Sequence, residues 1–288
     1  MKEFGQSQTK DKEAFVEELW RSYLTTGELP GFQKIHGYRF QEFRRLMKWL
    51  PSDPRCFICD APFEGIGGTA VRLFLNRKPG SLNPRMCNMC ELFAEEFLGG
   101  AEIELSMVFA DVRGSTPLAE SMSSAEFSRL LNRFYNAVTD VMVESNALIE
   151  KMIGDEVTGL FVSGFAGPDH ARVAIESAQA VLSATDHAEP GGPWIPVGVG
   201  VHTGQAYVGS VGEKGGLIEI TALGDAVNLA ARLASKAGEG DVLVSQEAIQ
   251  AAGLASDSLE SHDLQLKGKS ELIRAYVIPV EKRKTAKD

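Results

Sequence analysis

Apolar residues recur at helical spacing in the first part of the chain. Residues 11–25 place Phe15, Leu19 and Tyr23 on one face, which predicts an amphipathic helix. A second helix is predicted over residues 38–50, where aromatic and basic side chains are interspersed and a proline follows. We interpret the basic side chains as a solvated face, with a nucleic-acid contact as the alternative. This part of the chain is therefore predicted to be mainly helical.

Beyond Gly99 and Gly100, which are interpreted as a boundary, strand-like and helix-like patterns alternate. The predicted elements are a strand over 105–112, a helix that a capping box at Ser123 and Glu126 opens and that runs to about residue 145, strands over 147–155 and 156–162, a helix over 168–185, two strands over 195–204 and 205–212, a helix over 225–237, and short strands near 242, 262 and 275. The order strand, helix, strand, strand, helix, strand is that of a split β-α-β, ferredoxin-like core. The expected fold class is α/β (α+β), preceded by a small helical domain.

Two aspartates stand at points that this topology brings together. Asp111 follows a buried strand and precedes a Gly-Ser-Thr turn, and Asp155 lies in the tight connection of the second and third strands. The end of the first strand should lie beside that connection, so we expect the two carboxylates to meet. Converging carboxylates repel each other unless cations lie between them, as in two-metal sites. Ser115 and Thr116, followed by Pro117, predict a helix start whose backbone N–H groups favour an anion.

Other polar residues are candidates for the same site. Asn228 and Arg232 are four residues apart on a predicted helix, so both project from one face. They can hold a ribose oxygen and a charged phosphate, or they can form an ordinary exposed helix face. Lys151 lies in an otherwise apolar strand, where we expect a cost unless it meets an acceptor. Lys267, in a loop, can reach an anionic group, and Lys269 beside it is the alternative.

All four cysteines fall into two C-x-x-C pairs, Cys56 with Cys59 and Cys87 with Cys90. In a reducing compartment such pairs predict a tetrahedral thiolate metal site. The 27 residues between the pairs exceed the usual ~15–20, so an inserted hairpin or helix is expected after a glycine-rich link at residues 65–68. Structural zinc is favoured and an iron–sulfur cluster is the alternative, because four thiolates serve either.

Composition narrows the class of protein. The net charge of −10 argues against non-specific nucleic-acid binding, which usually requires a basic face. It also opposes a zinc-finger DNA-binding regulator. No run of about 18 apolar residues occurs, so no membrane span is expected. The polar N-terminus lacks the apolar core of a secretion signal, which predicts a cytoplasmic location.

Five motifs together resemble the signature of class III nucleotidyl cyclases. In chain order they are FADVRGST, EKMIGDEVTGLF, VGVHTGQAYVG, TALGDAVNLAARL and LKGKSE. The resemblance covers residues 102–280, a cyclase catalytic domain. It leaves residues 1–98 as a helical, four-cysteine, metal-binding regulatory domain and residues 281–288 as a charged tail.

The resemblance implies a role for each candidate residue. Asp111 and Asp155 would bind two Mg²⁺ or Mn²⁺ ions per active site. The triphosphate would be surrounded by the backbone of Val112, Arg113, Gly114, Ser115 and Thr116. The substrate would further be bound by Lys151 and Thr221 at the base, Asn228 at the ribose, Arg232 at the transition state and Lys267 at the terminal phosphates.

The resemblance also implies substrate and assembly. A Lys and Thr pair indicates adenine, so the expected reaction converts ATP to 3′,5′-cyclic AMP and pyrophosphate. The family's active site lies between two catalytic domains, and this chain contains one, so a head-to-tail homodimer with two composite sites is expected. The alternatives are a guanylate cyclase, or a catalytically silent module for nucleotide sensing and dimerisation.

Overall fold

The computed structural model describes residues 2–30, 32–37, 39–52, 54–56, 58–81, 86–213, 216, 218–265 and 272–280. The helices in these ranges are α1 (Lys2–Thr26), α2 (Phe32–His36), α3 (Phe40–Trp49), α4 (Gly65–Leu75), α5 (Asn88–Glu96), α6 (Ser115–Glu120), α7 (Ser124–Glu144), α8 (Ser163–Ala166), α9 (His170–Ala184), α10 (Asp225–Lys236) and α11 (Gln246–Ala251). The strands are β1 (Gly99–Val112), β2 (Leu148–Ile153), β3 (Glu156–Phe161), β4 (Val197–Gly212), β5 (Ile218–Leu223), β6 (Val242–Ser245), β7 (Glu260–Leu264) and β8 (Ile273–Ile278). Among these helices, none is both long and apolar enough to cross a membrane.

The chain divides into two compact units. The first unit consists of Met1–Ile103 and Tyr207–Leu223, and the second consists of Glu104–Ala206 and Gly224–Asp288. The first unit therefore contains the helical N-terminal part together with the hairpin made by the end of β4 and β5. The division into domains 1–98, 102–280 and 281–288 stays a prediction, and the tail 281–288 lies outside the described residues.

The first unit has an aromatic core. Trp20 and Tyr23 on α1 are buried and meet edge to face, with ring centroids 6.1 Å apart. Tyr23 also meets Phe40 of α3 at 5.8 Å. Both helices predicted in this part are confirmed as α1 and α3, because their apolar faces pack on each other. The structure begins α1 earlier than its periodicity indicates.

The glycine-rich stretch at residues 65–68 is the first turn of α4, so its prediction as a link was wrong. A Cβ on Gly67 would lie 2.1 Å from the carbonyl oxygen of Pro51. One on Gly68 would lie 2.4 Å from the carbonyl carbon of Phe63. These glycines therefore permit a close approach of two backbone segments, which sequence alone does not distinguish from chain flexibility.

Gly99 and Gly100, interpreted from the sequence as a boundary, are the first residues of β1. A Cβ on Gly100 would lie 2.4 Å from the carbonyl oxygen of Val208. One on Gly209 would lie 2.3 Å from the Cα of Gly100. The two strands thus approach each other through glycine, and β1 begins before residue 105, where the apolar run starts.

The strands of the described chain form a sheet of order β2-β3-β1-β4-β6-β8-β7, with β5 paired to β4. β3 lies between β1 and β2 and is antiparallel to both. This is the arrangement that a split β-α-β core predicts, and the predicted fold class is confirmed. The three short strands expected near the end of the chain are confirmed as β6, β7 and β8.

Residues 195–212 were predicted to form two strands bent at glycines, and this prediction was wrong. The structure has the single strand β4 there. A Cβ on Gly200 would lie 2.2 Å from the backbone nitrogen of Ala234 and 2.8 Å from the carbonyl oxygen of Ala230, both in α10. Glycine in β4 therefore allows α10 to lie directly on the strand without bending it.

The core of the second unit lies between the sheet and helices α7 and α9. Phe134, Val138 and Met142 of α7 are fully buried there. The predicted capping box begins α7, with the N–H of Ser123 donating to Glu126 Oε2 at 2.9 Å and the N–H of Glu126 donating to Ser123 Oγ at 3.3 Å. Packing of α7 and α9 holds β1, β2 and β3 in place, and these strands carry the candidate site.

Candidate active site and cysteine centre

The carboxylate corner, which we define as Asp111, Asp155 and Glu156, forms where β1 meets the β2–β3 turn. Asp111 is directly opposite Glu156 in the antiparallel ladder. The N–H of Val112 donates to the carbonyl oxygen of Asp155 at 3.0 Å. Gly154, with φ of 62°, supplies the left-handed residue of the tight turn. The structure thus brings Asp111 and Asp155 together.

Burial and neighbouring carboxylates raise the pKa of two groups of the corner, Asp111 and Glu156. Burial raises the pKa of Asp111, with the charge of Asp155 adding to the effect and Arg113 opposing it. Burial, followed by the charges of Asp111, Asp155 and Glu150, raises the pKa of Glu156 to about 7. A bound cation would relieve this repulsion, and carboxylate oxygens are the ligands that Mg²⁺ and Mn²⁺ prefer. The donor set therefore fits a divalent metal site.

Arg113 fixes the turn that follows β1. Its guanidinium forms an ion pair with Asp111, and its Nη1 donates to the carbonyl oxygens of Ser235 at 3.2 Å and Ala237 at 3.4 Å. The backbone N–H of Arg113 donates to the carbonyl oxygen of Pro196 at 2.8 Å. The side chain thereby ties the turn to the C-terminal end of α10.

The turn itself borders a cleft. Gly114, with φ of 64°, precedes α6, and the predicted helix start at Ser115 and Pro117 is confirmed. The cleft has a volume of about 380 Å³. Its lining residues are Ser115, Thr116, Ala119, Glu120, Phe127, Gly154 and Asp155. Asp155, one of the two candidate metal ligands, and the turn predicted to favour an anion therefore face the same space.

Asn228 and Arg232 lie on α10, away from its buried face. That face consists of Ala226, Leu229, Ala230, Leu233 and Ala234. Asn228 is exposed and Arg232 is half-buried. Across the part of the chain that the structure describes, neither side chain makes a hydrogen bond or an ion pair, with the carboxylate corner or elsewhere. Within one chain, the structure does not join these two residues to the aspartates.

The remaining predicted substrate residues have different surroundings. The side chain of Lys151 is 40% exposed and its Nζ lies 3.4 Å from Glu150 Oε1. The acceptor that the sequence required for Lys151 is therefore Glu150, its buried neighbour, and Lys151 itself is half-buried beside a register shift in β2. Thr221 is buried in β5, opposite Gly209 of β4. Lys267 lies outside the described residues.

The four cysteines of the chain form one buried group, the cysteine centre, consisting of Cys56, Cys59, Cys87 and Cys90. All are free thiols, and their Sγ atoms all lie within 4.8 Å of one another. The Sγ atoms of Cys59 and Cys87 are 3.7 Å apart, and the N–H of Cys87 donates to Cys56 Sγ at 3.2 Å. The predicted meeting of the two pairs is confirmed, and the inserted element is the helix α4.

Arg77 is a residue of this centre that the sequence analysis missed. Its Nη1 lies 3.2 Å from Cys87 Sγ, 3.4 Å from Cys59 Sγ and 3.9 Å from Cys90 Sγ. Burial opposes its charge, yet the three cysteines raise the pKa of Arg77. In sequence it stands in an Arg-Lys-Pro-Gly stretch, which has the composition of a solvated loop. No local pattern marks it as a partner of the cysteines.

Comparison with known sequences identifies a family and individual relatives of this chain. The sequence profile of the family described as "Adenylate and Guanylate cyclase catalytic domain" matches residues 101–279. An uncharacterized protein of Mycobacterium tuberculosis is 34% identical over 182 residues, which are 62% of this chain and 33% of that protein. An adenylate cyclase of Anabaena cylindrica is 32% identical over 185 residues, 60% of this chain and 36% of that protein. The chain thus spans about a third of the length of these curated relatives.

Solved structures share the fold. The guanylyl cyclase Cya2 matches with a TM-score of 0.55 and 24% identity, over 65% of this chain and 98% of its own. The adenylyl cyclase CyaB from P. aeruginosa matches with a TM-score of 0.54 and 24% identity, over the same shares. A guanylyl cyclase and an adenylyl cyclase therefore both have this fold. The fold by itself does not determine whether adenine or guanine is bound.

Proposed function

We propose that this chain, which belongs to the family of adenylate and guanylate cyclase catalytic domains, is an adenylate cyclase that converts ATP to 3′,5′-cyclic AMP and pyrophosphate. The observation that carries the proposal is the convergence of Asp111 and Asp155 beside the turn and cleft that follow β1. Members of this family use two divalent metals and act as dimers. The reaction is an in-line attack of the ribose 3′-oxygen on the α-phosphorus.

Asp111 and Asp155 would hold two Mg²⁺ or Mn²⁺ ions. When bound, the ions lower the pKa of the 3′-hydroxyl and neutralise phosphate charge. The backbone N–H groups of Val112 and Arg113 already donate to the carbonyl oxygens of Asp155 and Pro196, so those of Gly114, Ser115 and Thr116 are the ones proposed to bind the triphosphate. Arg113 holds this turn in place through its bonds to α10. Lys267 is proposed to bind the terminal phosphates. Because the reacting groups belong to one molecule, positioning supplies much of the rate.

Asn228 and Arg232 act on substrate held by a second copy of the chain. Asn228 orients the ribose and Arg232 stabilises charge on the phosphorus as the bond forms. Among the described residues neither side chain has a polar partner, and this supports the role because both side chains are available on α10. The assembly proposed is a head-to-tail homodimer with two equivalent composite sites.

Lys151 and Thr221 are proposed to select adenine. A lysine Nζ donates to the acceptor N1 of adenine, whereas guanine presents an N1–H donor that opposes it. The half-exposed position of Lys151 leaves its Nζ accessible. Thr221 lies on the β4–β5 hairpin, whose strands are held in register from Tyr207 to Gly212. A guanylate cyclase is the alternative.

The N-terminal part is proposed to bind zinc at the cysteine centre, with an iron–sulfur cluster as the alternative, and to regulate the reaction. α5, which carries Cys90, contacts β5, which carries Thr221, inside the first unit. A change in the cysteine centre can therefore reach a residue proposed to contact the base. Reduced thiols and ATP are both found in the cytoplasm, where we propose that the protein acts.

The test is a chromatographic assay of the purified full chain with equal ATP and GTP in the presence of Mn²⁺. Cyclic AMP should dominate, and Asp111→Ala and Asp155→Ala should each lower its formation by about 100-fold or more. Glu176→Ala, which removes an exposed carboxylate on α9, is the matched control and should keep the parent rate. Dominant cyclic GMP would establish the guanylate alternative. No product from a dimeric, metal-loaded parent would favour the silent module.

A further inference from the structure

The spacing of the four sulfurs indicates what the cysteine centre holds. Zinc bound by four thiolates has Zn–S distances of about 2.3 Å, so tetrahedral geometry places the sulfurs about 3.8 Å apart. The Sγ atoms of Cys59 and Cys87 are 3.7 Å apart, and all four lie within 4.8 Å of one another. An iron–sulfur cluster places several iron and sulfide atoms between its thiolates and keeps them further apart. The observed spacing fits one ion.

The charge of such a site requires a nearby cation. Four thiolates and one divalent ion carry a net charge of about −2, and the sulfurs here are buried. Buried charge without a counter-charge is costly. Arg77 supplies a guanidinium whose Nη1 lies within 3.9 Å of three of the four sulfurs.

The position of Arg77 is fixed from both sides. Its guanidinium carbon lies 4.6 Å from the ring centroid of Phe43, a buried residue of α3. Asn76, in the left-handed conformation with φ of 51°, ends α4 and turns the chain toward the sulfurs. The side chain is therefore held between an aromatic ring and the thiolates, with little freedom to leave.

We propose that the cysteine centre binds a single zinc ion through four thiolates, and that Arg77 is a positioning residue that offsets their charge and occupies sulfur lone pairs. The inference rests on the metal binding proposed above and is independent of cyclase activity. Hydrogen bonds to thiolate sulfur withdraw electron density from it. Arg77 should therefore slow the attack of oxidants and alkylating agents on the ligands, and slow zinc release.

The experiment uses the full chain as purified. Elemental analysis should find one zinc per chain and no acid-labile sulfide. Zinc release under hydrogen peroxide, followed with a chromophoric zinc dye, should be about tenfold faster in Arg77→Met than in the parent. Arg77→Lys, which keeps the charge and loses the planar fork, should fall between them. Arg72→Met is the matched control. Arg72 is an arginine of α4, and its guanidinium donates to the carbonyl oxygen of Phe63 at 3.2 Å.

A second measurement tests the role of Arg77 even if the Arg77→Met variant folds poorly. In cobalt-substituted protein, Arg77→Lys should shift the thiolate-to-metal charge-transfer band to lower energy, because fewer hydrogen bonds withdraw charge from sulfur. Two or more irons with acid-labile sulfide would overturn the single-ion inference. A parent chain without any metal would refute the proposed metal binding itself. Bound zinc with equal release rates and identical cobalt spectra in the parent and both Arg77 variants would refute only the role of Arg77.

Discussion

Glu156 is the member of the carboxylate corner for which the sequence suggested no role. It follows Asp155 directly and faces Asp111 across the β1–β3 ladder. Burial and the neighbouring carboxylates raise its pKa to about 7, so near neutral pH it carries only part of a negative charge. Without a bound cation, full ionisation of the corner adds like charge to a partly buried site. Binding of either a proton or a metal ion therefore lowers the electrostatic repulsion within the corner.

The pH dependence of stability follows from this shift. The pKa of Glu156 rises from its ordinary value of 4.5 to about 7 on folding, so between these values the folded chain binds more protons than the unfolded chain. Stability contributed by the protonated group is present below pH 4.5 and is lost as pH rises toward and through 7. Glu156→Gln, which mimics the protonated form, should raise the melting temperature at pH 8 by about 2 to 4 °C and change it little at pH 4.5.

The measurement is thermal unfolding followed by circular dichroism, without added Mg²⁺ or Mn²⁺. Glu176→Gln, which changes an exposed glutamate, should show no such pH-dependent gain. Added Mn²⁺ should stabilise the parent more than Glu156→Gln at pH 8, because the ion offsets a charge that the variant lacks. An equal gain at both pH values would contradict the assigned cause.

At the level of the elements, glycines set how closely strands and helices approach. Gly200 lets α10 lie on β4, and Gly100 and Gly209 let the first residues of β1 meet the later part of β4. The latter contact lies inside the first unit, next to β5 and Thr221. Side chains of any size at these positions would push two backbones apart, so each element would have to shift as a whole.

Gly209→Ala tests this close approach. Its Cβ would lie 2.1 Å from the carbonyl oxygen of Gly99, which a backbone shift must relieve, so the free energy of unfolding should fall by about 1 to 3 kcal/mol. Gly191→Ala is the control, because nothing lies within 4 Å of the added Cβ. Urea unfolding measures both. Equal stability of the two variants would show that the strands separate at no cost.

At the level of the whole molecule, the described chain holds two incomplete sets of functional groups. Asp111 and Asp155 converge beside the turn proposed to bind the triphosphate, while Asn228 and Arg232 lie away from the buried face of α10. A head-to-tail dimer would combine the first set of one chain with the second set of its partner. Activity should therefore depend on protein concentration where the dimer dissociates.

Mixing two inactive variants tests the composite site. Asp111→Ala and Arg232→Ala should each be inactive as homodimers, whereas a mixed dimer has one site with both substitutions and one with neither. After exchange of subunits, cyclic AMP formation should recover to about a quarter of the parent rate, because half of the dimers are mixed and each has one intact site.

The control for this experiment is a mixture of Asp111→Ala with Asp155→Ala. Both substitutions affect the same set of groups, so no mixed dimer has an intact site and the rate should not recover. Recovery in this control, or none in the first mixture despite subunit exchange, would contradict the head-to-tail arrangement.

The alternation of elements and the candidate residues of the site follow from local sequence patterns. Strand and helix periods, the capping box at Ser123 and the short turn at Asp155 are local patterns, so the ferredoxin-like core and the meeting of Asp111 and Asp155 could be predicted. The two C-x-x-C pairs likewise indicated a shared metal site before any distance was known.

Features that depend on residues distant in sequence became visible in the fold alone. A glycine looks the same in sequence whether it turns the chain or admits a neighbouring backbone, so residues 65–68 and the continuity of β4 were mispredicted. The register shift of β2 between Ile149 and Lys151, and the raised pKa of Glu156, depend on neighbouring strands. The contact of Arg77 with three sulfurs likewise depends on how α4 and α3 pack, which no local pattern encodes.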